Sequence, residues 1–495
     1  MRHSLRLFLI GLSFLSGSLA YAQKEATTWY FGRNAGFNFS QGTPVPIERN
    51  GLTRNGFGTA VVSDPQTGQL LFYSDAENVW NRNHQLMPHG RGLQGFAYLA
   101  QGALALPVPR QEHQYYLFTL QSGYDTPAML SYSRIDLQLN AGLGDVVEVE
   151  KNLPVAGALN RQLTAIPHTN GQDYWLITRR WNSNVFLIYQ VNAQEITLAH
   201  TLSLGPSQTA DLGNGDGYLM PSPNGQKLAY AVGGRFSLSL FDFDAATGLL
   251  SNYVDLGPSL DAGGVSFSPD NTKLYVGSFD VVDQARRLRA ILLQFDVAAG
   301  NAAAIRASRM SIIADNPTTN IRADEQGVET FYALQLGLDG RLYGNSGYTD
   351  KFLPLREGQR YMYVINYPNR RGFACQVWAQ PFAFASQEIG AGFPNFLQSY
   401  FNGLEPPADE QGRCENFSLT LFPNPTTSAV QLQVPTACFH PYQVTLYNSI
   451  GQCLYRENIL TALSNPIDLG NFAAGIYYFQ ARFSDRILTT KVLKN

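Results

Sequence analysis

An all-β chain of many short strands is what this sequence predicts, and two observations carry it. Charged residues make up only 15% of 495 positions, against roughly 25% in an ordinary globular chain. Glycine (45), phenylalanine (30) and tyrosine (26) are plentiful. Aromatic rings pack well on pleated surfaces, and glycine supplies the positive φ of tight turns. The second observation is a recurring phrase: a polar turn holding Gly, Asn or Asp, then a short alternating strand rich in aromatics. A chain of this length exceeds one compact core, so several domains or a large repeat array are expected. The formal net charge of −3 offers no basic surface for nucleic acid.

The first element is a leader. Arg2 and Arg6 precede an apolar run from Leu7 to Leu15, and Ala20-Tyr21-Ala22 is a small-x-small site. This predicts a signal peptide over residues 1–22, cut between Ala22 and Gln23. The run is short for crossing about 30 Å of hydrocarbon, and no transmembrane span is expected elsewhere.

The phrase follows six times. It reads SDPQTGQLLFY from Ser63, LPVPRQEHQYYLF from Leu106, AIPHTNGQDYWLI from Ala165, PSPNGQKLAY from Pro221, FSPDNTKLYV from Phe267 and LDGRLY from Leu338. Each copy reads as a hairpin, with Pro setting φ and Asn, Asp or Gly taking the left-handed position. A second phrase, FDFDAATG from Phe241 and LQFDV from Leu293, reads as an outer strand entering a turn. The copies start 43 to 71 positions apart and read as propeller blades, whose repeats run roughly 40–50 residues. Trp29 to Gly32 and Phe393 to Phe401 are strand-like without partners of their own. Pairing the two would complete a ring and remove its open edge. The expectation is a seven-bladed β-propeller (WD40/YVTN-like) over residues 24–403, with six or eight blades as the alternative.

Residues 404–414 read as a linker, polar and holding Pro406 and Pro407, which cannot join a ladder. From 415 to 495 the texture changes to about seven short alternating strands, the pattern of a small immunoglobulin-like β-sandwich. The four cysteines are Cys375, Cys414, Cys438 and Cys453. Their pairing is open. Cys414 and Cys438 flank the Pro423-Asn424-Pro425 corner symmetrically and could face each other across a strand pair. No CxxC is present.

The tail carries LFPNP from Leu421, VTLYNSIGQ from Val444, Leu469, AGIY from Ala474 and KVLK from Lys491. In these motifs it resembles the type A C-terminal sorting domain of the type IX secretion system, with Pro423, Asn424, Pro425, Gly451, Gly475, Tyr477, Lys491 and Lys494 in the matching positions. The resemblance implies passage through the periplasm and outer membrane, contact with the type IX machinery, and removal of the tail by a sortase-like peptidase. The body is then released or held at the surface. The body carries WYFGRNAGFNF from Trp29, LFYSD from Leu71, VWNRNH from Val79, GLGDV from Gly142, Asp173-Tyr174-Trp175 and Trp181-Asn182. Here it resembles the N-terminal propeller of large surface proteins of gliding bacteria, a resemblance that brings architecture and location but no site.

Catalytic chemistry is sparse. The seven histidines form no HxH or HxxxH pair, and GxSxG, GxxxxGK[ST] and HExxH do not occur. No metal and no cofactor are expected. Asp211 to Gly217 fails the EF-hand spacing and reads as a connecting turn. Asp75, Glu77, Asp145 and Asp173 could pair across a propeller mouth for glycoside chemistry, though turn residues explain them as well. The best binding candidate is Trp80, Asn81, Arg82, Asn83 and His84: a flat ring beside amides and a guanidinium suits a sugar. Trp181 and Asn182 form a weaker one. The expectation is an exported surface or secreted protein, a binder of a glycan or protein partner rather than an enzyme. A polysaccharide hydrolase or lyase, and a structural part of a surface or motility assembly, are the alternatives.

Overall fold

The computed structural model describes residues 24–47, 51–53, 57–123, 126–207, 217–232, 238–257, 263–281, 288–312, 331–346, 361–382, 390, 392–406, 418–434, 442–459, 464–483 and 487–495. The leader, its cleavage site at Ala22 and Gln23, Cys414, Cys438 and residues 211–216 lie outside them. So do residues 407–417, with most of the expected linker and the expected start of the tail.

Seven antiparallel sheets follow one another along the chain among the described residues, over 28–46, 60–91, 103–159, 164–203, 217–255, 265–311 and 331–381. The first has three strands. The third has five, because 153–159 joins the 128–136 strand, and the others have four in chain order. All six copies of the phrase form the hairpin between strands one and two of a sheet.

Local chemistry explains why. Ser222 Oγ donates to Asn224 and accepts from the Lys227 amide at 2.9 Å, with Gly225 at φ +69°. Ser268 does the same with Asp270 and Lys273, and Asn271 takes the left-handed position at φ +65°. Short polar side chains thus satisfy the turn's amides locally. Across the next strand pair Lys227 reaches Asp242 at 2.8 Å, and Lys273 reaches Asp296 at 3.4 Å. The two phrases are therefore cross-strand partners. The second phrase is a third strand, not an outer one: Leu238–Asp244 is covered by Leu249–Asp255, and Leu288–Asp296 by Met310–Ser311. Phe241, Phe243 and Phe295 on these third strands are buried.

Each sheet packs on the next. Tyr30 meets Tyr73, Phe72 meets Tyr115, Phe186 meets Phe241, and the Tyr275 hydroxyl donates to Pro368. The seventh packs on the first through Tyr343 and Phe382 against Phe37. Trp29 is fully buried where they meet, its ring 5.1–6.1 Å from Phe37, Phe39, Tyr343, Phe393 and Phe396.

The two chain ends of the body do come together there, but not by the expected strand pairing. Trp29 to Phe31 pairs with residues 35–37. Residues 393–397 add rings to Trp29 and Phe31, and the bridge they make is from Pro394 to Thr59. Asn395 is buried and turned toward Ala103 and Leu163, so side-chain amides replace a ladder.

The six later sheets have two kinds of end. Turns joining strands one to two and three to four lie at the turn end. The two-to-three turns and the crossings to the next sheet lie at the connection end. The chain leaves at the turn end, where the Gly403 amide donates to Pro269 and Asn402 accepts from Asn271.

The tail forms two further sheets, one of three strands and one of four, around a core that includes Leu432, Val444, Leu446 and Phe479. The hairpin expected at 447–452 is present, with Gly451 at φ +82°.

Replacing Trp29 by Ala is expected to cost about 3–5 kcal/mol in urea denaturation, as for other large buried aromatics. Lys227→Met should cost no more than about 1 kcal/mol, since that ion pair is partly solvated.

Candidate functional site

The two sequence-predicted clusters lie at opposite ends of the sheets. Trp80 is only 6% exposed and stacks on Tyr73 at 5.3 Å. The ring a sugar would need is therefore covered. Asn81 is buried and holds the turn by accepting from the amides of Asn83 and Gln85. Arg82 ties the turn to the third sheet through the Gly142 carbonyl, and Asn83 is exposed. His84, at φ +59°, shares a hydrogen bond with the Tyr73 hydroxyl, and burial lowers its pKa. This cluster is a turn braced on the core, at the turn end. Trp181 is half-buried in the two-to-three turn of the fourth sheet, and Asn182 beside it is exposed at φ +53°. They stand at the connection end.

The carboxylates do not converge. Asp75 caps its own turn by accepting from the amides of Glu77 and Asn78, and burial still raises its pKa. Asp145 accepts from the His89 amide and lies 2.7 Å from its ring nitrogen. Asp173 is held by Asn170 and Gln190 in a turn at the opposite end from Asp75 and Glu77. The paired carboxylates that glycoside hydrolysis uses are not formed by these four. No three His, Cys, Asp or Glu side chains gather as metal ligands among the described residues. Cys375 is free and buried, its thiol pushed up to about 12 by burial, and Cys453 is free and exposed. No helix among the described residues is long and apolar enough to cross a membrane.

The connection end carries an aromatic platform that sequence reading missed. Phe57 precedes the second sheet, and Phe96 and Tyr98 lie in the crossing to the third. Tyr98 is 47% exposed, with its ring centre 5.8 Å from Phe57 and 5.4 Å from Phe96. Two close backbone approaches build it. A Cβ at Gly58 would fall 1.8 Å from the Ala100 carbonyl oxygen, and one at Gly95 would fall 2.1 Å from that of Ala76. The Gly58 amide donates to Leu99, and Glu77 accepts from Gly92, Leu93 and, through its carboxylate, Ala97. Gln94 is exposed in the same crossing, its Oε1 accepting from Ser131. The one sequence signal was the alternation Gly95-Phe96-Ala97-Tyr98, whose partner Phe57 lies some forty positions away. At the same end Arg179 is buried between the rings of Phe186 and Tyr230, 4.7 and 4.2 Å away. Burial lowers its pKa, and the Tyr230 hydroxyl offsets this in part.

Near the turn end, Glu25 faces a narrow cleft lined also by Val61, Tyr115, Asn395 and Tyr400. Its Oε2 is buried without a hydrogen-bond partner among the described residues. Burial raises its pKa, opposed by its own and the Lys24 amide.

In the tail the Pro423-Asn424-Pro425 corner and the basic C-terminus form one unit. Asn424 donates from Nδ2 to the Lys491 carbonyl at 2.9 Å and accepts on Oδ1 from the Leu493 amide at 3.0 Å. Thr426 bridges Lys494. Tyr477 is buried, its hydroxyl on Ala473, and Gly475 opens the same strand. Lys491 points outward and Lys494 is buried.

Residues 420–495 match the secretion system C-terminal sorting domain. The tail is thus the type IX sorting domain, and it marks the chain for export to the cell surface or beyond. No curated protein matches the chain. Among solved structures it is similar to a hydrazine synthase of Kuenenia stuttgartiensis at 11% identity, covering 71% of this chain and 80% of that one with a TM-score of 0.36. A putative 6-phosphogluconolactonase of Bacteroides uniformis matches at 11% identity, 73% and 94% coverage and TM-score 0.36. A quinonprotein alcohol dehydrogenase-like protein of Bacteroides thetaiotaomicron matches at 11%, 71% and 74%, and 0.36. At such scores these likenesses carry nothing about substrate or activity.

Two measurements bear on these sites. Below the unfolded carboxyl value of about 4.3, Glu25 is neutral in both states and costs nothing. The cost of charging it grows as pH rises from there through the raised folded value, and then persists. Glu25→Gln is therefore expected to raise the melting temperature near neutral pH and leave it unchanged near pH 3. Asn424→Ala removes two hydrogen bonds, a loss of about 1–3 kcal/mol to that corner. Amide exchange at Leu493 should accelerate correspondingly.

Proposed function

We propose that this chain is an exported glycan-binding protein, delivered by its type IX sorting tail. Residues 24–403 form a seven-bladed β-propeller, 404–414 a linker, and 415–495 an immunoglobulin-like sandwich that engages the secretion machinery. The leader, residues 1–22, is removed on entry to the periplasm, and the sorting tail is cut away at the outer membrane. The observation that carries the binding reading is the Phe57–Tyr98–Phe96 platform, with Tyr98 open at the connection end. A partly exposed ring offers a face to the C–H groups of a sugar. The amide of Gln94 and the Glu77 carboxylate supply directional hydrogen bonding nearby. Trp181 and Asn182 share that end of the sheets.

Position supports the same reading. The chain departs for its tail at the turn end, away from the platform at the connection end. A rigid scaffold presenting a loop-borne aromatic loses little conformational entropy on binding.

The test is a glycan array with the full chain and its Tyr98→Ala variant. Tyr98→Ala should weaken binding by at least about tenfold, or 1.4 kcal/mol, with an unchanged circular dichroism spectrum. Trp80→Ala should instead lower the melting temperature. Glycan binding indifferent to Tyr98 would remove the platform from the reading. Release of shorter sugars from a polysaccharide would make the protein an enzyme.

A further inference from the structure

We infer that residues 392–403 are a strap, a peptide ligand carried in the same chain, which occupies a binding groove formed by six sheets of the body directly and by the fifth through Gln101, and holds them around one axis.

The contacts run sheet by sheet. Phe393 lies on the rings of Trp29 and Phe31 in the first sheet, at 5.5 and 5.3 Å. The Asn395 amide donates to Thr59, at the entry to the second, at 2.8 Å. Asn395 Nδ2 donates to Ala103 in the third at 3.2 Å and to Leu163, at the entry to the fourth, at 3.0 Å. Gln101 relays the network to the fifth, donating to the Leu219 carbonyl, accepting from the Leu219 amide at 2.9 Å and reaching Asn395 Oδ1. Gly403 and Asn402 bind Pro269 and Asn271 in the sixth. Gln398 donates to Gln335 in the seventh at 3.3 Å. Just ahead of the strap, Gly390 accepts from Asn345 of the same sheet.

The path is directional. It begins near Thr59 and Leu163 at the connection end and finishes beside Pro269 at the turn end. Gly392 permits the entry, because a Cβ there would fall 2.4 Å from the Gly58 amide nitrogen. Buried carbonyls of Ala103 and Leu163 find their donor in one side chain that arrives late in the sequence. A buried polar group left without its partner is costly, so the groove selects for an occupant with an amide at this position. Closure of the body therefore waits for residue 403, the last before the linker. A cut beyond 404 leaves the strap seated, whereas force on an intact tail is transmitted directly to it.

The experiment uses the full chain with a specific protease site placed within residues 383–389. After cutting, the fragment that carries strap and sorting domain should stay with the body through size-exclusion chromatography at micromolar concentration. Asn395→Ala combined with Phe393→Ala should release it at least about ten times faster. The uncut double variant keeps the strap tethered at high effective concentration and should retain its strand spectrum. Separation or aggregation of the cut wild-type chain overturns the inference, as does equal retention of the double variant. Glycan binding by the uncut chain is read separately and does not depend on the outcome.

Discussion

The buried amide of Asn395 is where the sheets answer to one another. A first strand that lines an axis has carbonyls with no neighbouring strand on that side. Water could satisfy them only in an open channel. Here Asn395 and Gln101 satisfy them with two side chains that reach sheets far apart in sequence. An unmade hydrogen bond on such a buried group costs about 1–3 kcal/mol, a large share of the margin by which any domain is stable. These two amides tie sheets far apart in sequence to one another, while the apolar faces between sheets supply the bulk of the burial.

Those faces are aromatic, and Trp29 shows how they interlock. It belongs to the first sheet but is covered by rings from the seventh and from the axial segment. Burial on every side leaves no room for a smaller or polar residue without a cavity. The same chain end that carries Asn395 thus also completes the apolar core at the junction of the first and seventh sheets.

The division of the molecule into two ends follows from the meander itself. Tight turns with Ser-Pro-Asx-Gly chemistry crowd one end, where the chain also leaves for its tail. The longer crossings gather at the other end. Loops freed from ladder geometry can bring Phe57, Phe96 and Tyr98 together, provided glycine allows the backbones to touch. Function is borne on such crossings more readily than on two-residue turns, whose side chains are occupied in holding the turn.

The strands and turns were legible from the residues because their causes are local. Ser222, Asn224 and Gly225 make their turn with one another, and the alternation after it assigns a buried face. The tail was legible for a similar reason, since its motifs are contiguous and carry their own geometry. Tertiary structure alone decided three other things. It covered Trp80 with Tyr73, turning an apparent binding ring into core. It placed FDFDAATG as a third strand, because only the packed sheet shows what lies outside it. It assembled the aromatic platform and the axial network from residues tens to hundreds of positions apart. Local hydrogen bonding is written in adjacent residues. Which distant ring or carbonyl a side chain meets depends on how the sheets stack, and no short stretch of sequence contains that information.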